Sequence, residues 1–227
     1  MRKRREWIYL FIGLLLYLPV YFLQISIDYS KKLERIETGL LLMPGQIAGS
    51  LVLSGFKGLA ADLLWLNVEN YWHSGQHYKM LPLFEAVAWL QPHYITVWAV
   101  GGWHMAYNIY VAVKTEEEKQ YWYNQGIKFL KKGVSYNPDK YDLYFETGWT
   151  YYHKGKDYPN AVKYFEKAIK YPHPEYVDDV LAHAYEKNGQ IKKAIETWEY
   201  VRDNYPTFRS VAIRMIYDLK TKGKATP

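Results

Sequence analysis

The sequence contains no cysteine, and this absence excludes several kinds of site at once. Disulfide bridges, thiolate nucleophiles, zinc ribbons and iron–sulfur clusters all require cysteine. The chain also lacks a nucleophile elbow, a glycine-rich phosphate loop and a dinucleotide-binding fingerprint. We therefore expect no enzyme activity, no cofactor, no bound metal and no small-molecule substrate.

A large excess of charge of one sign is also missing from most of the chain. The 227 residues carry 29 Lys and Arg against 23 Asp and Glu, a net charge of +6. Residues 1–35 hold seven basic and three acidic side chains, which leaves 22 basic against 20 acidic for residues 36–227. Because the bulk of the chain is nearly neutral, we expect no nucleic-acid partner.

Aromatic residues, in contrast, are abundant. They make up 18% of the sequence, with 24 Tyr and 9 Trp. Such a content is far too high for a disordered protein, and the length suits one large domain or two small ones. The position of the aromatic residues in the sequence is therefore the feature to explain.

The amino terminus has the pattern of a membrane anchor. A basic flank at residues 1–6 precedes 21 uncharged residues at 7–27. As a helix, 21 residues reach about 31 Å, close to a bilayer core of about 30 Å. The run is longer than the apolar part of a cleaved signal peptide, and no small-x-small cleavage site follows it. The pattern predicts an uncleaved transmembrane signal anchor, and a buried helix of a soluble protein is the alternative.

The orientation follows from the basic flank. The positive-inside rule predicts a single-pass protein of the bacterial inner (cytoplasmic) membrane, with a cytoplasmic amino terminus and a periplasmic carboxyl-terminal part. Residues 28–60 are interpreted as a juxtamembrane, apolar interfacial segment. The alternative is a second span at residues 39–56, which would return the rest of the chain to the cytoplasm.

An internal repeat follows the anchor. Pro138, Pro172 and Pro206 are spaced 34 residues apart, a period typical of helical repeats. Around these prolines the sequence resembles the tetratricopeptide repeat (TPR) family. The matching small, aromatic and turn positions, interpreted as the repeat core, are Gly148, Tyr151, Ala161, Phe165, Ala168, Ala182, Tyr185, Gly189, Ala194, Trp198 and Pro206.

The resemblance implies an all-α fold. We expect a TPR-like solenoid at residues 61–222, built from about four helix pairs and closed by a capping helix at 207–222, with a tail at 223–227. The first two units match less well, and the second contains about twelve inserted residues around 111–120. Thr115 is the predicted N-cap of a helix there, with Glu118 three residues on. One extra residue in the third unit is placed near 157–159.

The resemblance also implies a protein-binding groove, because in this family the first helix of each unit lines the concave surface. The aromatic and histidine positions that fall on that surface are Trp65, Trp72, Trp103, Tyr107, Phe145, Trp149, Tyr152 and His153. Two interpretations remain open. The groove binds a partner's extended peptide or helix, or the apolar segment 39–56 of the same chain fills it.

These features predict a membrane-tethered scaffold or adaptor that binds a partner protein and assists assembly or stability of an envelope membrane complex. One alternative is a permanent accessory subunit of such a complex. Another is a histidine-dependent metal enzyme, since Glu69, His73 and His77 have a spacing that suits metal ligands on one helix. Gly75, however, is the expected turn between two helices and would separate the two histidines.

Overall fold

A computed structural model describes residues 18, 19, 21 and 57–223. The chain divides into two compact bodies, Met1–Leu63 and Leu64–Pro227, and most of the described residues belong to the carboxyl-terminal body. The predicted anchor at 7–27, apart from three residues, and the interfacial segment as far as residue 56 lie outside the described residues. Among the helices that are described, none is long and apolar enough to span a bilayer.

The described part of the chain is entirely helical, which agrees with the predicted all-α fold. The helices are α1 (Lys57–His73), α2 (Leu81–Leu90), α3 (Ile95–Trp103), α4 (Tyr110–Ala112), α5 (Glu116–Tyr136), α6 (Tyr141–Trp149), α7 (Tyr158–Ala168), α8 (Tyr176–Lys187), α9 (Ile191–Asn204) and α10 (Arg209–Lys222). Short 3-10 turns precede α2 and α10. Within the carboxyl-terminal body, successive helices pack against one another in pairs, as the repeat pattern predicts.

Small residues of the third and fourth units form the core between their helices. Ala161, Phe165, Ala182, Ala194 and Trp198 are all fully buried. The remaining predicted core positions differ in burial: Gly148, Ala168 and Tyr185 are buried, Tyr151 is half-buried, and Gly189 and Pro206 are exposed. The last two end helices rather than fill the core. Gly189 has φ +74° in the turn before α9, and Pro206 opens the 3-10 turn that follows it.

The second unit absorbs its inserted residues by lengthening its helices. Helix α5 has 21 residues, whereas α7 and α9, its counterparts in later units, have 11 and 14. The capping box predicted at the start of α5 is confirmed. The Glu118 N–H donates to Thr115 Oγ1 at 3.2 Å, and the Thr115 N–H donates to Glu118 Oε2 at 3.1 Å.

Glycines bring the two long helices of this unit close together. A Cβ atom on Gly126 would lie 2.6 Å from the carbonyl oxygen of Gly102, and one on Gly133 would lie 2.6 Å from the Cβ of Trp98. No side chain fits at such distances. These positions therefore require glycine because the two helices approach each other closely, and not because the backbone adopts an unusual conformation. Trp98 itself is buried and donates from Nε1 to the Pro92 carbonyl at 2.9 Å.

Two π-helical turns interrupt the first helices of the second and third units. They span His104–Ile109 and Thr150–Gly155, directly after Trp103 and Trp149. A π turn adds one residue to a helix without breaking it. The two turns therefore widen equivalent helices at equivalent places.

The second π turn corrects the predicted position of the extra residue. The left-handed residue that ends the helix is Lys156, with φ 50°, and the equivalent residue in the fourth unit is Gly189. Lys156 lies eight residues after Gly148, whereas Gly189 lies seven residues after the equivalent Ala182. The extra residue is thus inside the helix, and its placement near 157–159 is wrong.

The last helix covers the end of the repeat array. Ala212, Met215, Ile216 and Leu219 of α10 are buried and belong to the same core cluster as Trp198. The predicted capping helix is confirmed, except that its first two residues lie in the 3-10 turn. Without α10, the apolar face of α9 would be exposed to solvent.

Candidate functional site

Aromatic rings from all four units form one connected surface, here called the aromatic strip. Its members are Trp72, Trp103, Tyr107, Phe145, Trp149, Tyr152, His153 and Tyr176. Seven of these are predicted groove residues, and Tyr176 joins them from the first turn of α8. The structure therefore brings together side chains that are up to 104 residues apart in the sequence.

The amino-terminal half of the strip joins the first three units. The ring centroids of Trp72 and Trp103 are 5.9 Å apart, and those of Trp103 and Tyr107 are 6.3 Å apart. Tyr107 then stacks on His153 across the boundary between units, with centroids 5.8 Å apart and planes inclined by 13°. These are the distances at which aromatic pairs stabilise one another.

The carboxyl-terminal half continues into the fourth unit. His153 stacks on Trp149 at 5.4 Å with planes almost parallel, and Trp149 contacts both Phe145 at 6.3 Å and Tyr152 at 5.8 Å. Phe145 meets Tyr176 edge-on at 5.1 Å. The strip thus crosses each junction between neighbouring units from the first to the fourth.

Trp65 is the predicted groove residue that does not join the aromatic strip. Its ring packs against Phe84 at 6.2 Å and against Tyr94 at 5.7 Å, and its side chain is half-buried. Phe84 is fully buried, and among the described residues Trp65 has no ring contact with the strip. Trp65 lies two helical turns before Trp72 on the same side of α1, so its place in the groove stays a prediction.

Part of the strip is open to solvent. Trp72, Trp103 and Tyr176 are 37%, 40% and 40% exposed. His153 is also exposed, and the remaining members are half-buried. Large aromatic side chains on a folded surface are costly to leave in water, and contiguous ones mark contact surfaces.

The π turns position the middle of the strip. Tyr107 lies in the first π turn, and Tyr152 and His153 lie in the second. Turns of this kind occur frequently at functional sites because they redirect side chains without ending the helix. Sequence reasoning placed these residues in the groove but gave no sign that their helices are widened there.

A buried histidine, which was not predicted as a site residue, packs against the first ring of the strip. His104 is fully buried, its ring 5.8 Å from that of Trp72. Its Nε2 lies 3.2 Å from the His77 carbonyl and its Nδ1 lies 3.1 Å from the Asn108 amide nitrogen. The carbonyl requires a proton on Nε2 and the amide donates to Nδ1, so His104 is neutral. Burial accordingly lowers its pKa.

The metal hypothesis requires Glu69, His73 and His77 to lie on one helix, and the first unit does not provide this arrangement. Helix α1 ends at His73, and Gly75 follows with φ +69°. The predicted turn is confirmed, and it separates His73 from His77. Among the described residues, no group of three His, Asp or Glu side chains is arranged to hold a metal ion.

Comparison with known proteins identifies the repeat. The family model described as tetratricopeptide repeat matches residues 142–175 and 181–207, which are the third and fourth units. No curated protein matches the sequence.

Solved structures share the fold at low sequence identity. A thermophilic TPR protein of Thermus thermophilus is 16% identical, with a TM-score of 0.51 over 67% of this chain and 81% of its own. The MamA protein is 18% identical, with a TM-score of 0.54 over 73% of this chain and 84% of its own. These similarities show an all-helical, TPR-type fold, and the two matched segments show that the third and fourth units resemble tetratricopeptide repeats.

Proposed function

We propose that this protein is a scaffold that holds a segment of a partner protein on its aromatic strip. TPR domains generally bind other proteins, and the single observation that carries the proposal is the continuity of the strip across four units. Trp and Tyr provide large contact areas at a low cost in side-chain entropy, and they are over-represented among residues that dominate binding energy. An extended or helical segment lying along the strip would contact every unit at once.

The proposed scaffold is tethered to the bacterial inner membrane by residues 7–27, with the repeats in the periplasm. Its role is to assist assembly or stability of an envelope membrane complex. The uncharged run and the basic flank of the sequence support this part of the proposal. Reporter fusions at the carboxyl terminus test it: a periplasm-active reporter should be active, and activity of only a cytoplasmic reporter would contradict the topology.

Substitutions of exposed strip residues test the binding function. We expect Trp72→Ser combined with Trp103→Ser to remove the partner from crosslinked membrane pull-downs, because both rings belong to the proposed contact surface. Tyr217→Ser is the matched control, since Tyr217 is an aromatic residue of α10 that is 65% exposed and lies outside the strip. The proposal would be contradicted if the unaltered protein, the double variant and the control recovered partners equally. It would also be contradicted if none of the three recovered a stoichiometric partner.

A permanent subunit and an adaptor differ in how they are extracted. A permanent subunit should co-purify with its complex at a fixed ratio in detergent and in high salt. An adaptor should dissociate under the same conditions, which is the outcome we expect.

A further inference from the structure

Carboxylates line the carboxyl-terminal half of the aromatic strip, although the chain as a whole has a net charge of +6. Asp142 and Glu146 lie one turn apart on α6, and Asp179 lies on α8. Glu146 lies three residues before the strip residue Trp149 on the same helix, a spacing that places the two side chains next to each other on the helix surface. Asp142 and Asp179 are likewise three residues from the strip residues Phe145 and Tyr176 on their own helices.

None of these three carboxylates has a Lys or Arg partner in the described part of the chain. Among the residues that the structure describes, no Lys or Arg forms an ion pair with any of the three. Away from the strip, Glu166 accepts from Lys193 at 3.0 Å and Glu199 accepts from Lys220 at 2.8 Å. Three carboxylates without a described Lys or Arg partner therefore lie along the carboxyl-terminal half of the strip.

Two of the three carboxyl groups are also partly removed from water. Burial raises the pKa of Glu146, and the neighbouring charge of Asp142 adds to the effect. Burial also raises the pKa of Asp179, although His183 acts in the opposite direction. A carboxylate that has lost water and gained no cation is unfavourable in the free protein, and an incoming cation relieves this cost.

We propose that the carboxyl-terminal half of the strip recognises a partner segment that carries Lys or Arg side chains among apolar ones. This inference rests on the proposed binding function and specifies the chemistry of the partner. An arginine can lie against the ring of Tyr176 or Phe145 and donate hydrogen bonds to a carboxylate at the same time. Apolar side chains of the segment would pack between the remaining rings.

The preference for a basic partner segment applies to the carboxyl-terminal half of the strip. At the other half, Lys154 already lies over the Tyr110 ring at 3.7 Å and over the strip residue Tyr107 at 5.3 Å. A second cation there would be repelled. The partner segment is therefore expected to be basic at one end and apolar at the other.

Synthetic peptides of defined charge test the inference on the purified full-length chain in detergent. The probe is a short peptide in which leucine and arginine alternate, compared with peptides of the same pattern containing glutamine or glutamate. We expect the arginine peptide to bind about tenfold or more tightly than the glutamine peptide, and the glutamate peptide to bind more weakly still. The advantage should shrink as salt is added.

Charge-neutralising variants then locate the effect. Glu146→Gln with Asp179→Asn should remove the preference for arginine, whereas Glu117→Gln with Glu196→Gln, which changes the net charge equally at exposed positions outside the strip, should retain it. Thermal unfolding of both doubles should stay close to that of the unaltered protein. The strip carboxylates form no described ion pair, and the Lys192–Glu196 pair that the control removes is exposed and long at 3.9 Å, so it contributes little.

The outcomes separate this inference from the proposed function. Suppose that replacing Trp72 and Trp103 abolishes all peptide binding, whereas neutralising Glu146 and Asp179 has no effect. This result would support the proposed scaffold function and overturn the inference that the partner segment is basic. Equal binding of the arginine and glutamate peptides would also overturn it. If neither the aromatic nor the charge variants alter binding, the proposed function itself fails.

Discussion

A single buried carboxylate connects three parts of the third and fourth units. Asp178 in the first turn of α8 is 5% exposed and accepts from the hydroxyl of Tyr205 at 2.7 Å. Its Oδ2 also lies 3.1 Å from His173 Nε2, and His173 Nδ1 lies 2.5 Å from the Tyr171 carbonyl. Both ring nitrogens of His173 thus lie within hydrogen-bond distance of oxygen atoms of the same chain.

This arrangement predicts unequal effects of two substitutions. Tyr205→Phe should lower the free energy of unfolding by about 1 kcal/mol, because one hydrogen bond is lost. Asp178→Ala should lower it by about 3 kcal/mol, because the Tyr205 hydroxyl and His173 then both lose the buried oxygen that they contact. Urea unfolding of the purified protein measures both. Equal effects of the two substitutions would show that the contact between Asp178 and His173 adds nothing to stability.

His104 predicts a dependence of stability on pH. Burial lowers its pKa below the ordinary value of 6.5, so the unfolded chain binds a proton that the folded chain excludes. Its contribution to stability is therefore complete above that ordinary value and is lost progressively as the pH falls towards the folded pKa. We expect His104→Gln to flatten this part of the pH profile, as measured by urea unfolding at several pH values. An unchanged profile would contradict the neutral, buried state of this histidine.

Close packing at Gly148 is the feature of the helices that a substitution tests best. A Cβ on Gly148 would lie 2.8 Å from the Phe165 ring and 3.3 Å from the Ala161 carbonyl oxygen. Gly148→Leu should lower the free energy of unfolding by about 3 kcal/mol, because the fully buried Phe165 cannot move aside. Thermal and urea unfolding measure the loss.

Gly189→Ala is the comparison for this substitution. Nothing lies within 4 Å of a Cβ at Gly189, so the cost there arises from its φ of +74° alone. We expect a loss of about 1 kcal/mol. If Gly148→Leu unfolds at the same temperature as the unaltered protein, the register of the repeat is wrong.

The later helices could be predicted from the sequence because spacing and packing agree there. The prolines 34 residues apart and the small residues such as Ala182 and Ala194 occupy equivalent places in each unit. The π turns could not be predicted, because an extra residue has the same sequence signature in a helix as in a loop. In the third unit the left-handed conformation that ends the helix lies at Lys156, one residue after Gly155, and no feature of the sequence indicates this shift.

The candidate site was predicted in part for the same reason. Positions carried over from the family gave seven members of the strip, because first helices keep their inward face in successive units. Trp65 contacts Phe84 and Tyr94 instead of a strip ring, in a unit that matches the repeat poorly. His104 was missed because a buried histidine has no distinctive sequence pattern. The carboxylates of the strip were visible in the sequence, but their lack of basic partners required the structure.

At the scale of the whole molecule, the repeat domain combines a rigid helical framework with an aromatic surface that crosses its units. Each unit buries its small residues against its neighbours, so the strip is held in place by the core of the array. The predicted tether at residues 7–27 would hold this surface near the membrane. In this proposal, affinity comes from the aromatic rings, and the choice of partner comes from the carboxylates beside them.

Site-specific photocrosslinking in intact cells tests the central claim most directly. A photoreactive amino acid at position 103 of the full-length chain lies on the strip, and one at position 217 lies on an exposed surface of α10. We expect position 103 to form one defined crosslink to a partner protein, and position 217 to form none. A crosslink from position 103 only to residues 39–56 of the same chain, or identical products from both positions, would contradict the claim that the strip binds a partner.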